Sequence, residues 1–317
     1  MKHHFTTQRL EQNRSAADDF YKNCTLCPRA CGVNRTTGET GLCGMTSEIK
    51  IARADLHQWE EPCISGTNGA GTVFFSGCGL GCVFCQNHAI SQAHMGYAVT
   101  TDELAQIFLD LQEKGAHNIN LVTPTHFAPS IAQALAAVKT RLTIPVVYNC
   151  GGYESPETLA LIAPFVDIFL PDVKFYSPDI AKSYCGAADY FEKALASVAA
   201  MLAITGAPVF ENGLLKKGVI VRHLVLPTHR RDSFEIIARL KENFGIKMLL
   251  ISLMNQYFSI ENSTKFPALS RKTATFEYNA VAGKVCEAGF NGWFQERTAA
   301  DARYVPAFSS EKPTKIV

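Results

Sequence analysis

The chain has 317 residues, 47% of them hydrophobic and 19% charged, and its 30 basic and 29 acidic side chains leave a formal net charge of +1. That length can bury one large core or two unequal ones. The balanced charge excludes the electrostatic footprint that nucleic acid or an anionic membrane selects for, so small molecules or proteins are the expected partners.

In chain order, the opening residues MKHHFTTQRLEQNRS are polar and lack the apolar h-region of a secretory signal, which predicts a cytoplasmic protein. Eleven cysteines in a reducing compartment point to metal or catalytic use rather than to disulfides. Eight of them lie at positions 24, 27, 31, 43, 63, 78, 82 and 85, whereas Cys150, Cys185 and Cys286 stand singly and are expected to be small buried hydrophobes. Residues 1–70 show no sustained hydrophobic period and are expected to form a small metal-organised extension. Within it, His57, Glu60 and Glu61 of LHQWEEP read as a solvated acidic turn, or as a segment folded over the mouth of the core.

The turn-prone SGTNGAG, Ser65 to Gly71, marks the break to residues 71–260. From there short apolar runs alternate with helix-like segments: TVFF with LAQIFLDL, INLV with IAQALAAV, PVVY with ETLALI, VDIFL with a long Ala-rich stretch from Ile180 to Ile204, VIVRHLVL with FEIIARL, and then MLLISL. Such alternation predicts parallel strands with crossover helices. Thr100 and Glu103 form a capping-box pattern, and Gly115 is placed to end that helix. The uncharged run Ala194 to Phe210 carries Gly206 and Pro208 and is too short for a bilayer span, so it reads as a core helix plus a turn. Six units predict an α/β fold, a partial (β/α)6 TIM-like barrel with ligands at the C-terminal strand ends. Residues 261–317, with Tyr278 and GFNGWFQ, are expected to close the barrel as a strand or lid.

FFSGCGLGCVFCQN, Phe74 to Asn87, directly follows the first of these strands and places Cys78, Cys82 and Cys85 at C-x3-C-x2-C spacing. A tetrahedral zinc site takes four ligands and a disulfide two, but a cubane held by three thiolates keeps one iron open. With the aromatic Phe84 before the third cysteine, these residues resemble the motif of the radical S-adenosylmethionine (SAM) superfamily. CTLCPRACGVNRTTGETGLCG, EEPCISG, LVTPTHFAP, YNCGGYES, LPDVKF and NGWFQ extend the resemblance to the uncharacterised branch of pyruvate formate-lyase activating enzyme-like proteins.

The resemblance implies a [4Fe-4S] cluster on Cys78, Cys82 and Cys85, reductive cleavage of SAM, a 5'-deoxyadenosyl radical that abstracts hydrogen, and an electron donor such as flavodoxin or ferredoxin. It also implies cofactor contacts at Phe84, Asn149, Asp172 and Lys174, with Arg222 and Asn255 as further strand-end candidates. Activating enzymes usually carry Gly-Gly-Glu after the second strand to bind the methionine amino group, but TPTHF stands there, and Thr123, Thr125 and His126 are expected to substitute. Cys24, Cys27, Cys31 and Cys43 form a separate set, suited to structural zinc or a second, closed cluster. The functional expectation is a radical SAM enzyme that abstracts hydrogen from an unknown substrate, with glycyl radical activation of a partner protein as one form of it and radical modification of a small molecule, peptide or RNA as the second reading. A non-catalytic iron-sulfur or zinc protein is the third, which the open three-thiol site disfavours.

Overall fold

The computed structural model describes residues 19–301 and 305–312; residues 1–15, read above for a targeting segment, lie outside them. The strands are β1 (Lys50–His57), β2 (Ala70–Phe75), β3 (Tyr97–Ala98), β4 (Ile119–Val122), β5 (Val146–Cys150), β6 (Ile168–Pro171), β7 (Val209–Glu211), β8 (Leu214–Leu224), β9 (Leu250–Met254) and β10 (Gly292–Phe294). The helices are α1 (Pro62–Ser65), α2 (His88–Ser91), α3 (Thr101–Glu113), α4 (Ala128–Val138), α5 (Pro156–Ile162), α6 (Pro178–Cys185), α7 (Tyr190–Thr205), α8 (Arg230–Phe244) and α9 (Thr275–Ala288).

One sheet runs in the order β10-β9-β8-β6-β5-β4-β2-β1-β3, with β7 paired to β8. From β2 to β10 the path is parallel, and the six strands expected from the apolar runs lie consecutively in it. Its end strands are β10 and β3, so the barrel is not closed. β1 and β3 pair antiparallel at the β2 side, which makes the SGTNGAG break the separator of two neighbouring strands of one sheet. β10 pairs with β9, placing part of GFNGWFQ as an edge strand, while Tyr278 lies on α9 and donates its hydroxyl to Leu253 O at 2.9 Å.

Strand alternation sorts the side chains. Val146, Tyr148 and Cys150 of β5 join the outer core against the helices, as do Phe169, Val221, Ile251 and Leu253. Val147, Ile168, Leu170, Ile220 and Leu250 face the opposite, concave side, where they pack with Cys63 and Ile64 of α1. This short helix therefore fills the lower interior of the barrel, and the residues just before it face the space above.

Local chemistry sets the boundaries. Thr100 and Glu103 complete the capping box of α3, with Glu103 N–H donating to Thr100 Oγ1 at 3.2 Å and Thr100 N–H to Glu103 Oε2 at 2.9 Å. The long Ala-rich stretch is divided into α6 and α7, because Gly186 adopts a left-handed cap at φ 66°. Asn212 and Gly213, at φ 51° and 81°, form the two-residue hairpin joining β7 to β8. Cys286 is exposed on α9, unlike buried Cys150 and Cys185, which corrects its expected burial. Among the described residues no helix is long and apolar enough to cross a membrane.

Candidate active site

The loop after β2 carries the three clustered cysteines into a cavity of about 600 Å³ at the C-terminal strand ends. Gly77 turns the chain at φ 85°, and a Cβ there would stand 2.7 Å from Cys43 O, so no larger residue fits. Leu80 N–H donates to Cys78 Sγ at 3.4 Å and Ser91 Oγ to Cys85 Sγ at 3.3 Å. Cys82 shares a thiol hydrogen bond with buried Cys185, and that bond and burial together push the Cys82 thiol up. Burial pushes Cys78 up to about 11 and raises Cys85 as well. Behind the loop, the Phe84 ring packs edge-on against Phe175, Tyr184 and Tyr257 with centroids 5.8, 6.3 and 6.2 Å away.

Three neighbouring thiols in a dry loop are poor bare thiolates, and they suit an iron centre that supplies the missing positive charge. The donors aimed at two of the sulfurs fit cluster ligands, whose potential such hydrogen bonds tune. A cubane takes one thiolate at each of three irons, so its ligands need not converge on one point. Among the described residues no three His, Cys, Asp or Glu side chains stand at single-ion spacing.

Across the cavity, inward strand positions build a charged network. Arg222 of β8 donates through Nε to Asp172 Oδ1 at 2.8 Å and through Nη2 to Asn149 Oδ1 at 2.6 Å, and its Nη1 lies 3.5 Å from Glu60 Oε2. Lys174 binds the other Asp172 oxygen. Burial works to raise the Asp172 carboxyl, but the Arg222 and Lys174 charges together hold it below the usual carboxylate range. Burial works to lower both cations, but Asp172 together with Cys82 raises Lys174, and Asp172 together with Glu61 and Glu60 raises Arg222. Gly152, at φ 77°, lets the turn after β5 approach Asp172 O, which a Cβ would meet at 2.1 Å.

Of the sequence-derived candidates, Phe84, Thr123, Asn149, Asp172, Lys174 and Arg222 line this cavity together with the three cysteines. Thr123 ends β4 in the left-handed region at φ 59°. Three others point elsewhere, which corrects their expected placement. Thr125 gives its hydroxyl to Glu154 Oε1 at 2.9 Å, because the turn following Pro124 carries it to the outer side. His126 is buried with Nε2 2.6 Å from Ser76 O, and burial lowers its pKa to about 3. Asn255 is buried, and its N–H donates to Gln295 Oε1 at 2.9 Å, off the cavity.

Glu60 and Glu61 are buried at the cavity floor, not solvated in a turn, since they lead directly into the α1 plug. Gln256, the polar residue that with Asn255 follows the sixth expected strand, lines the cavity and belongs to a glutamine chain across its wall. Gln295 Nε2 donates to Gln256 Oε1 at 2.8 Å, and Gln86 Nε2 donates to Gln256 O at 2.6 Å, tying the C-terminal segment to the cysteine loop. The near-alternation in VVYNC and VIVRHL was the available signal for Asn149 and Arg222, but nothing local announced that the glutamines meet.

The N-terminal cysteines gather beside this loop. Cys43 has Cys24 and Cys31 as electrostatic neighbours, and Cys27 has Cys43 and Cys24. Two arginines dock the segment. Arg29 donates to Gly79 O at 2.9 Å and to Cys185 O and Gly186 O at 2.5 Å. Arg35 is fully buried over the Tyr21 ring and donates to Met45 O, Thr46 O and His126 O at 3.0, 2.6 and 2.5 Å.

Comparison with known proteins places this geometry. An uncharacterized protein of Methanocaldococcus jannaschii is 29% identical over 278 residues, covering 83% of this chain and 74% of that protein. The crystal structure of a radical SAM methyltransferase from Sphaerobacter thermophilus superposes with a TM-score of 0.51 at 13% identity, covering 71% of this chain and 66% of the methyltransferase, a likeness that speaks for the fold alone. SuiB of Streptococcus suis bound to S-adenosylmethionine gives a TM-score of 0.45 at 13% identity, covering 69% of this chain and 45% of SuiB. The family model of the radical SAM superfamily matches residues 72–241, more than half of the chain. The chain therefore belongs to the radical SAM superfamily, a membership that implies a [4Fe-4S] cluster and S-adenosylmethionine as its cofactors.

Proposed function

We propose that this protein is a radical SAM enzyme in which Cys78, Cys82 and Cys85 hold the cluster. The observation that carries the reading is the placement of all three thiols on one cavity wall opposite a buried network of Asn149, Asp172, Lys174 and Arg222. When bound, the cluster and SAM together supply a one-electron reductive cleavage that releases methionine and a 5'-deoxyadenosyl radical able to abstract hydrogen. The electron comes from a donor of the flavodoxin or ferredoxin kind.

This chain's own residues bind, orient and exclude water. The wall formed by Phe84 and its aromatic neighbours keeps solvent from the thiols. Thr123 offers its backbone and hydroxyl at the strand end where activating enzymes bind the methionine amino group. Lys174 and Arg222, held in place by Asn149 and Asp172, orient the carboxylate at the methionine end of SAM. Glycyl radical activation is the reading that the family resemblance suggests. The buried charges favour the second reading, a polar small molecule or side chain, because a glycine backbone brings no charge to meet them. The N-terminal cysteines, held against the cluster loop by Arg29, are candidates for zinc or a second cluster, and since no three of them stand at single-ion spacing here, zinc would require them to draw together.

Anaerobic incubation of iron- and sulfide-reconstituted protein with dithionite and SAM, read by mass spectrometry, tests the proposal. Wild type should form 5'-deoxyadenosine, whereas Cys82→Ala should lose both the cluster absorbance and the product. A fully loaded wild type that forms none, or a Cys82→Ala variant that still turns over, would refute it. Metal analysis of the same preparation separates one equivalent of zinc from about eight irons per chain.

A further inference from the structure

The floor of the cavity holds more acceptors than donors. Glu60 is partnered, since its Oε1 accepts from Asn120 Nδ2 at 2.9 Å and its Oε2 faces Arg222. Glu61 Oε2 and Asn120 Oδ1 have no hydrogen-bond partner, although Glu61 is only 8% exposed and Asn120 0%. Both are acceptors, so what they lack is a donor. Buried polar groups in folded proteins are paired as a rule; Asn120 binds Glu60 and is not part of the cavity lining, whereas Glu61 lines the cavity, and its orphaned oxygen marks the place where a ligand completes the set.

Charge points the same way. Glu60, Glu61 and Asp172 set three carboxylates against the two cations Lys174 and Arg222, and both cations are bound to Asp172. Among the described residues none of the ion pairs reaches Glu61. Burial pushes the Glu60 and Glu61 carboxyls up, with Arg222 opposing, and a cation seated beside them would relieve that cost.

We propose that Glu61, with Glu60, recognises a cationic group on the substrate, a primary ammonium or a guanidinium. Such a group brings several N–H donors and a positive charge, which meets the free carboxylate oxygen and the excess negative charge together. A neutral substrate leaves the charge unmet, and an anionic one is repelled. The inference deepens the radical SAM reading and rests on it for the identity of the cavity.

Anaerobic calorimetry on the full chain tests it with n-butylamine, n-butylguanidine and the neutral 1-butanol as probes. Wild type should bind at least one of the two cations and bind 1-butanol at least about tenfold more weakly, while Glu61→Gln should lose about tenfold or more in cation affinity. That loss should exceed any loss of SAM affinity by about tenfold, and the exposed Glu242→Gln control should bind the cations as wild type does. Failure of wild type to bind either n-butylamine or n-butylguanidine more tightly than 1-butanol would overturn the proposal without relying on any variant's folding. So would unchanged cation affinity in Glu61→Gln, or an equal loss of SAM affinity, which would assign the pair to the cofactor. Calorimetry needs no turnover, so a failure to form 5'-deoxyadenosine with cation binding intact would sink the radical reading alone.

Discussion

Arg222→Met removes the cation on which the cavity network turns. The guanidinium contacts Asp172 at 2.8 Å, Asn149 at 2.6 Å and Glu60 at 3.5 Å, and its side chain is only 17% exposed. Methionine keeps much of the volume and none of the donors. Asp172 then retains Lys174, but Asn149 Oδ1 loses the Arg222 donor and Glu60 its cation. Breaking a buried pair by removing one partner costs about 3–5 kcal/mol, because the other charge stays buried and uncompensated. With a urea dependence of about 3 kcal/mol per molar for a chain of this size, the unfolding midpoint should fall by about 1–1.7 M. Anaerobic urea titration followed by circular dichroism measures it. Glu60→Gln added to Arg222→Met should recover about 1–2 kcal/mol, since it removes the charge that lost its cation. A midpoint lowered by less than about 0.3 M in the single variant would refute the reasoning, because the network would then contribute no more than exposed ion pairs do.

Thr123→Gly should stabilise the ligand-free protein by about 0.5–1 kcal/mol, since the left-handed backbone at φ 59° strains a β-branched residue more than glycine's added unfolded-state entropy offsets. Differential scanning calorimetry should show Tm rising by about 1–2 °C, and a fall would mean that the threonine side chain contributes more than its strain costs. Glu154 accepts from Tyr148 and Thr125 at 2.9 Å each, and burial pushes its carboxyl up to about 7. The folded state therefore holds a proton that the unfolded state releases from about pH 4.5 upward, and stability falls as pH rises through about 7, by on the order of 3 kcal/mol in total. Glu154→Gln should remove that slope, so its urea midpoint should gain on wild type between about pH 5 and about pH 8. Parallel pH profiles would show that Glu154 ionises in the fold as readily as in the unfolded chain.

The parallel strands were legible because their apolar runs are short, bounded by turns and buried on both faces, as in β2, where all six residues are buried. The capping box of α3 was legible for a similar reason: its partners are three residues apart and their geometry is local. The splitting of the Ala-rich stretch at Gly186 was not, since a glycine inside a helical pattern is tolerated or breaks the helix according to what packs around it. Thr125 and His126 were assigned to the cavity by their position at a strand end. The turn at Pro124 leaves only Thr123 facing it, and one residue of rotation at a strand end is not encoded in spacing.

The sequence by itself determined what is local or periodic: an α/β chain, the order of its strands, and a three-cysteine loop after the first parallel strand, whose spacing and neighbouring aromatic carry the resemblance to the radical SAM superfamily. Tertiary structure decided what depends on distant segments meeting. Glu60 and Glu61 look like solvent-facing residues beside a proline, yet the α1 plug carries them beneath Asn120, Asn149, Asp172 and Arg222 from four separate strands. Arg29 reads as one more charge between cysteines, yet its fork joins the N-terminal loop to Gly79, Cys185 and Gly186 at separations of 50 to 157 residues. The physical reason is the range of the interactions. Hydrogen bonding along a strand or helix turn is written within a few neighbouring residues, whereas the environment that leaves a carboxylate buried and short of a donor exists only once the sheet has curved around it.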